Sequence, residues 1–189
     1  MPRGKLIVIS APSGGGKTTI AKEILARHKD MKFSVSATTR RKRENEVDGK
    51  DYFFLTRDDF EKKIARGELA EYETIYGDYY GSLKSVVEGA LMEGKALLFD
   101  IDVNGALTIK RKYSNDAVLI FIQPPTLGVL RERLLRRNTE DETTVGRRLE
   151  RASMELEKGK RFDHKVVNDD LARAVREVDD IVKKSIEDS

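Results

Sequence analysis

The sequence predicts an α/β fold: a parallel central sheet between two layers of helices, with an inserted mixed β module and a two-helix lid. Three observations carry this expectation. Short apolar runs alternate with helical patterns in the first and last thirds of the chain, the rhythm of parallel strands joined by crossover helices. The run Leu6-Ile7-Val8-Ile9 leads into a glycine-rich turn, Gly14-Gly15-Gly16, which opens directly into a helical pattern. Between about Phe33 and Tyr80 the alternation fails, because strands are short, helix is scarce and a basic polar stretch intervenes.

The elements follow in order. A strand over 6–10 precedes a helix from about Lys17 to His28. Residues 33–36 form a short strand and 51–55 another. Asp58 and Asp59 in the first turn, with Gly67 past the end, mark a helix over 57–66. Residues 69–76 are strand-like, and Gly77-Asp78-Tyr79-Tyr80-Gly81 reads as a turn between two glycines. Gly94 closes a helix over 83–93. The runs 96–101 and 117–122 are almost wholly apolar, as strands buried on both faces are, and they enclose a helix over 104–113. Pro124-Pro125 precedes two helices, 126–137 and 143–158, joined by an acidic loop at 139–142. A strand over 165–168 and a helix from Asp169 onward complete the chain. Segments 1–32, 83–125 and 159–189 then form the core, 33–82 the inserted module and 126–158 the lid.

Composition narrows the class. Charged residues make up 37% of the 189 residues and hydrophobic ones 39%, yet the apolar residues cluster enough to build a core. Cysteine is absent, which excludes disulfides and thiolate metal sites. No run approaches the roughly 18 apolar residues of a membrane helix, so a soluble, cytoplasmic protein without a membrane partner is expected. The net charge of +3 hides two basic clusters, Arg40-Arg41-Lys42-Arg43 and the arginines from Arg131 to Arg151. Aromatic residues are not interleaved with them and acids are, so no nucleic-acid partner is expected. Arginine bunched this way suits nucleotide phosphates.

The turn carries the first chemistry. Ala11-Pro12-Ser13-Gly14-Gly15-Gly16-Lys17-Thr18 matches the P-loop pattern G-x-x-x-x-G-K-[ST], except that Ala11 stands where glycine is specified. Glycines let backbone N–H groups crowd phosphate oxygens, and the following helix adds its positive end. Lys17 is placed for the β- and γ-phosphates and the Thr18 hydroxyl for Mg²⁺. The expected ligand is a nucleoside triphosphate, with Mg²⁺ as its companion ion. The N-K-x-D motif that reads guanine in switch GTPases is absent, and Asp102-x-x-Gly105 alone is a weak match to another switch motif.

The segment Thr38-Thr39-Arg40-Arg41-Lys42-Arg43-Glu44-Asn45-Glu46-Val47-Asp48-Gly49-Lys50-Asp51-Tyr52-Phe53-Phe54 closely resembles the guanylate kinase family, the GMP kinases among the nucleoside-monophosphate kinases. Thr38, Thr39, Arg40, Arg43, Glu46, Gly49, Tyr52 and Phe54 all meet the family pattern. Further landmarks stand in the family's order: Phe33-Ser34-Val35-Ser36, Gly77-Asp78-Tyr79-Tyr80-Gly81-Ser82, Asp100-Ile101-Asp102 and Val167-Asn168-Asp169-Asp170. Asn104 stands where the family commonly has glutamine, and Arg136 and Asn138 where it often has glycine.

The resemblance implies ATP and GMP as partners, with dGMP an open second acceptor, and a three-layer α/β/α core bearing a GMP-binding module. Arg40 and Arg43 would fork onto the GMP phosphate, with the Tyr52 and Tyr80 hydroxyls as added donors. Ser36 and Ser82 would donate to guanine, and Glu71 and Asp102 accept from it. Taken singly, Tyr52 and Tyr80 read equally as half-buried aromatics, and Ser36 and Ser82 as caps or turn residues. Asp100 reads either as a Mg²⁺ ligand through water or as a cap of the next helix. Arg133, Arg137 and Arg148 would close over the phosphates, while Arg136, Arg147 and Arg151 are expected on a solvated face. Asn168 is placed near the donor adenine. A kinase for dTMP or AMP is the alternative within the class. A phosphopeptide-binding relative with a decayed phosphate loop is the alternative outside it, and the intact loop speaks against that reading.

Overall fold

A computed structural model describes residues 3–135 and 142–187, with the backbone alone at 142–145. The elements in chain order are β1 (Leu6–Ser10), α1 (Lys17–Arg27), β2 (Lys32–Phe33), β3 (Ser36–Thr38), β4 (Phe53–Phe54), α2 (Arg57–Ala65), β5 (Leu69–Ile75) and β6 (Asp78–Leu83). They continue with α3 (Lys84–Met92), β7 (Leu97–Asp100), α4 (Val103–Tyr113), β8 (Ala117–Gln123), α5 (Leu127–Leu135), α6 (Glu142–Gly159), β9 (His164–Val167) and α7 (Leu171–Glu187). Among the described residues no helix is long and apolar enough to cross a membrane.

Burial explains the central sheet. Its order is β2-β7-β1-β8-β9, all parallel, and β1 in the middle is buried at every position. Side chains of β1 alternate between faces. Ile7 and Ile9 meet Ile20 and Ile24 of α1 and Val175, Val178 and Val182 of α7. Leu6 and Val8 meet Val87 and Leu91 of α3 and Val103, Ala106 and Ile109 of α4. Each helix contributes its apolar residues at three- and four-residue spacing, which gives three layers. Asp179 adds a polar tie on the first face: His28 lies 2.6 Å from its Oδ1, and Lys183 donates to its Oδ2 at 2.8 Å.

The second sheet, order β4-β3-β6-β5, is mixed: β3 pairs parallel with β4 and antiparallel with β6. Two expectations are corrected here. The strand expected over 33–36 is two strands, because the chain leaves the parallel sheet after Phe33 and enters the mixed sheet at Ser36. The turn expected over 77–81 is mostly strand β6. Only Tyr76 and Gly77 turn the chain, with φ of 53° and 92°, the left-handed pair that a two-residue hairpin needs. Gly81 sits mid-strand, where an added Cβ would lie 2.8 Å from the Glu71 carbonyl and 3.1 Å from the Phe60 ring. It marks close approach rather than a turn.

Helix α2 follows its sequence signals closely. Thr56 caps it by accepting from the Asp59 N–H at 3.1 Å, and Gly67 leaves it with φ of 64°. Helices α5 and α6 pack on each other through Leu130, Leu134, Leu149 and Ala152. The end of α6 returns to the core, where the Phe121 ring packs against Gly159: an added Cβ there would stand 2.5 Å from the ring Cδ1.

Candidate active site

The glycine-rich turn leaves the C-terminal end of β1, where parallel α/β sheets bind ligands. Gly14 and Gly16 have φ of 85° and 94°, conformations that side chains other than glycine rarely adopt, and the Gly15 N–H donates to the Pro12 carbonyl at 2.8 Å. The Ala11 departure from the pattern is absorbed locally. An added Cβ on Gly15 would be 2.9 Å from the Ala11 methyl, so glycine at 15 is what leaves that methyl its room. Asn168 braces the turn from below: it is 6% exposed and donates through Nδ2 to the Gly15 carbonyl at 2.9 Å. Lys17 Nζ lies 2.6 Å from Asp100 Oδ1, and the Thr18 hydroxyl donates to Asp100 Oδ2 at 2.8 Å. A cavity of about 300 Å³ lies over the turn.

A second cavity, of about 130 Å³, joins the turn to the mixed sheet. Lys17 and Asp100 border it on one side, and Ser36, Tyr52, Glu71 and Tyr80 on the other. Strand register gathers these residues. Ser82 on β6 stands opposite Ser36 on β3 and Glu71 on β5, so the three line up across neighbouring strands. The Ser82 hydroxyl donates to Glu71 Oε1 at 2.6 Å. Burial, helped by Asp102 and Glu73, pushes the Glu71 carboxyl up to about 7, against the Ser82 bond that lowers it. Gly105 makes room for this carboxyl, since an added Cβ would be 2.5 Å from Glu71 Oε2. Asp102 caps α4, accepting at Oδ1 from the Asn104 N–H at 2.8 Å, and also faces the cavity. The helix cap next to β7 is therefore Asp102, while Asp100 faces Lys17 and Thr18.

Tyr52 and Tyr80 meet edge to face at 6.1 Å, and burial raises the Tyr52 hydroxyl pKa, which keeps it a donor. Arg40 lies 5.3 Å over the Tyr52 ring, and its Nη2 donates to Glu46 Oε1 at 2.6 Å. Arg43 is exposed, and its main-chain N–H donates to Glu46 Oε2 at 2.8 Å. These two arginines stand beside the cavity and do not line it. From α5, Arg133 donates to the Asn168 carbonyl at 2.8 Å. From α6, the Arg148 guanidinium lies 3.4 Å from the Ser13 hydroxyl, over the turn. Arg136, Arg137 and Asn138, with residues 139–141 of the acidic segment expected as a loop, lie outside the described residues.

This arrangement has a phosphate-binding turn and a pocket of hydroxyls and carboxylates in one space. The guanylate kinase family model matches residues 3–185. The chain belongs to the guanylate kinase family. It is 50% identical over 178 residues to a guanylate kinase of Chlorobium chlorochromatii, with 94% of each chain covered. It is 51% identical over 181 residues to one of Thermotoga maritima, covering 96% of this chain and 87% of the relative. A crystal structure of guanylate kinase from Anaplasma phagocytophilum is similar in fold, with a TM-score of 0.80 at 30% identity over 97% of this chain and 86% of that one.

Within this guanylate kinase architecture one sequence expectation is overturned and several residues are new. Arg147 is exposed as expected, whereas Arg151 is turned inward with its side chain only 25% exposed. Arg151 lines the cavity over the turn together with Glu155 and Tyr76. The four-residue spacing of Arg151 and Glu155 was the available signal, but such pairs are common on solvated helix faces. Gly105 stood out only in the weak Asp102-x-x-Gly105 match, which says nothing of its role here, because that role depends on Glu71 from a distant strand.

Proposed function

We propose that this chain transfers the γ-phosphoryl group of ATP to GMP, giving ADP and GDP, and works in the cytoplasm. The observation that carries the reading is the shared cavity, where Lys17 and Asp100 of the triphosphate side face Ser36, Glu71, Tyr52 and Tyr80 of the mixed sheet. Guanine shows an acceptor at O6 and donors at N1 and N2. Ser36 donates to the first, and Ser82 does so on giving up its bond to Glu71, while Glu71 and Asp102 accept from the second. Adenine reverses this pattern at the same edge and would leave buried carboxylates facing acceptors, a mismatch worth roughly 10⁴–10⁵ in discrimination.

The acceptor phosphate is ionised and nucleophilic at neutral pH, so the site needs no general base and works by placement and charge neutralisation. Residues 11–18 cradle the donor phosphates with their N–H groups, and Lys17 leaves Asp100 for the β- and γ-oxygens. Arg40, Arg43, Tyr52 and Tyr80 hold the acceptor phosphate, with Arg40 exchanging its Glu46 partner for the incoming anion. Arg133, Arg137 and Arg148 of the 126–158 lid complete the charge around the phosphoryl group, and Asn168 holds the donor side. The 33–82 module moves against the core with the lid, which excludes water and keeps ATP from hydrolysis. Thr18 and Asp100 present hard oxygens side by side, the donor chemistry that Mg²⁺ prefers. When bound there, Mg²⁺ supplies positive charge to the β- and γ-phosphate oxygens.

The test is ADP release in a coupled assay with GMP, dGMP, AMP and dTMP in turn. Transfer to GMP with kcat/KM at least about 10⁴-fold above AMP is expected. Equal kcat/KM for AMP and GMP would overturn the guanine assignment, and ATP turnover indifferent to any monophosphate would overturn the transferase assignment.

A further inference from the structure

Arg151 and Glu155 occupy the seam between the lid helix and the tip of the acceptor-side hairpin. Arg151 Nε donates to Glu155 Oε1 at 2.9 Å, and the two side chains are 25% and 13% exposed. An exposed pair at this spacing adds little to the stability of a helix. Withdrawing such a pair from water costs solvation, so its burial calls for a reason other than helix stability. The guanidinium carbon lies 5.3 Å from the centre of the Tyr76 ring, the residue that turns the β5–β6 hairpin. Arg151 thereby joins α6 to the mixed sheet.

The surroundings indicate what the pair serves. Both residues line the 300 Å³ cavity over the glycine-rich turn, with Lys17 and Arg148. Both also line an adjoining cavity of about 200 Å³ bordered by Glu73, Asp102 and Lys158. Glu155 Oε2 is buried there without a hydrogen-bond partner. Among the described residues the Arg151 fork gives only its Nε–H to another side chain, which leaves the N–H groups of both Nη atoms uncommitted. A guanidinium whose stem-side N–H is fixed by a carboxylate and whose face rests on an aromatic ring is oriented before any ligand arrives. Its free end then offers two parallel donors, the geometry that suits phosphate.

We infer that Arg151 is a further substrate-binding residue of this site, its Nη groups taking phosphate oxygens of the bound nucleotides, and that Glu155 is the positioning residue that aims it. The inference rests on the phosphotransfer reading for its kinetic consequence, but not for the phosphate contact itself. Because Arg151 also lies against Tyr76, it engages phosphate from a lid helix already seated on the hairpin. It thereby ties phosphate capture to the juxtaposition of the two moving parts.

The experiment compares R151A, R151M, E155Q and R151A/E155Q with wild type, using ATP with Mg²⁺ and GMP. R151A is expected to lower kcat about 10²-fold, the size of losing one preorganised donor to a reacting oxygen. R151M retains the apolar stem and is expected to match R151A, so it stands in should R151A fold poorly. E155Q is expected to lower kcat about 3- to 10-fold in the wild-type background and not at all in the R151A background, because Glu155 acts through Arg151. Thermal stabilisation by ATP with Mg²⁺ alone is read in parallel, and is expected to shrink in R151A and R151M. That readout holds whichever monophosphate is the acceptor, so its result stands apart from the GMP assignment. R151A and R151M both within threefold of wild-type kcat with unchanged ATP stabilisation would overturn the inference. An E155Q effect equally large in the R151A background would overturn the positioning role of Glu155.

Discussion

Replacing Glu71 by glutamine should make the ligand-free protein more stable at alkaline pH while weakening its grip on GMP. Glu71 is 3% exposed, and one oxygen accepts from the Ser82 hydroxyl while Asp102 and Glu73 stand nearby. Its carboxyl moves from an ordinary value of 4.5 to about 7, so at about 1.36 kcal/mol per pH unit its ionisation in the folded protein costs about 3 kcal/mol. Below pH 4.5 the folded and unfolded chains both hold this proton, and the group is neutral to stability. Between 4.5 and about 7 only the folded chain keeps it, so the stability conferred by the protonated acid is lost as pH rises through that window. Glutamine has the shape of the protonated acid and never ionises, so the variant escapes that loss. Urea unfolding of both proteins without nucleotide, at pH 5.0 and pH 8.5, reads the effect. The advantage of Glu71→Gln should grow by about 2 kcal/mol or more between the two conditions, or roughly 4–8 °C in Tm for a domain of this size. GMP affinity at pH 8.5 should fall in the same variant, because an amide N–H₂ would face the N1 and N2 donors of guanine. An advantage that does not grow with pH would refute the account of Glu71 as a carboxyl held neutral by burial.

Two further substitutions probe other parts of the molecule. Lys17→Ala, which removes the ammonium paired with Asp100 at 2.6 Å, should cut turnover by several orders of magnitude while GMP binding by calorimetry persists; near-normal turnover would show that residues 11–18 do not handle the transferred group. Gly159→Ala sets a Cβ 2.5 Å from Cδ1 of the fully buried Phe121 ring, so it should lower stability by roughly 1–3 kcal/mol; an unchanged urea midpoint would mean that α6 shifts off the sheet without penalty.

Local signals were enough wherever a residue's neighbours in space are also its neighbours along the chain. The apolar runs of β1, β7 and β8, the glycines at 14–16, and the Asp58, Asp59 and Gly67 marks on α2 each act within a few residues, and the chain folds there as its local chemistry prescribes. Ser36, Tyr52, Glu71, Tyr80 and Ser82 were named through the likeness to guanylate kinases, since their residue types taken singly read equally well as caps, turn residues or half-buried side chains. What remained hidden depended on partners far off in sequence. Gly81 resembled a turn residue because glycine is permissive in turns, but it serves a close approach of Phe60 and β5 to β6. The stretch 33–36 held no mark of the point where the chain passes between two sheets, because pairing partners at Leu98 and Ser82 decide it. Arg151 looked like one of several solvated arginines, and only the packing of α6 against the turn and the Tyr76 hairpin turned it inward. Charge and burial cannot be read from one helix alone, since the dielectric around a side chain is set by whatever packs over it.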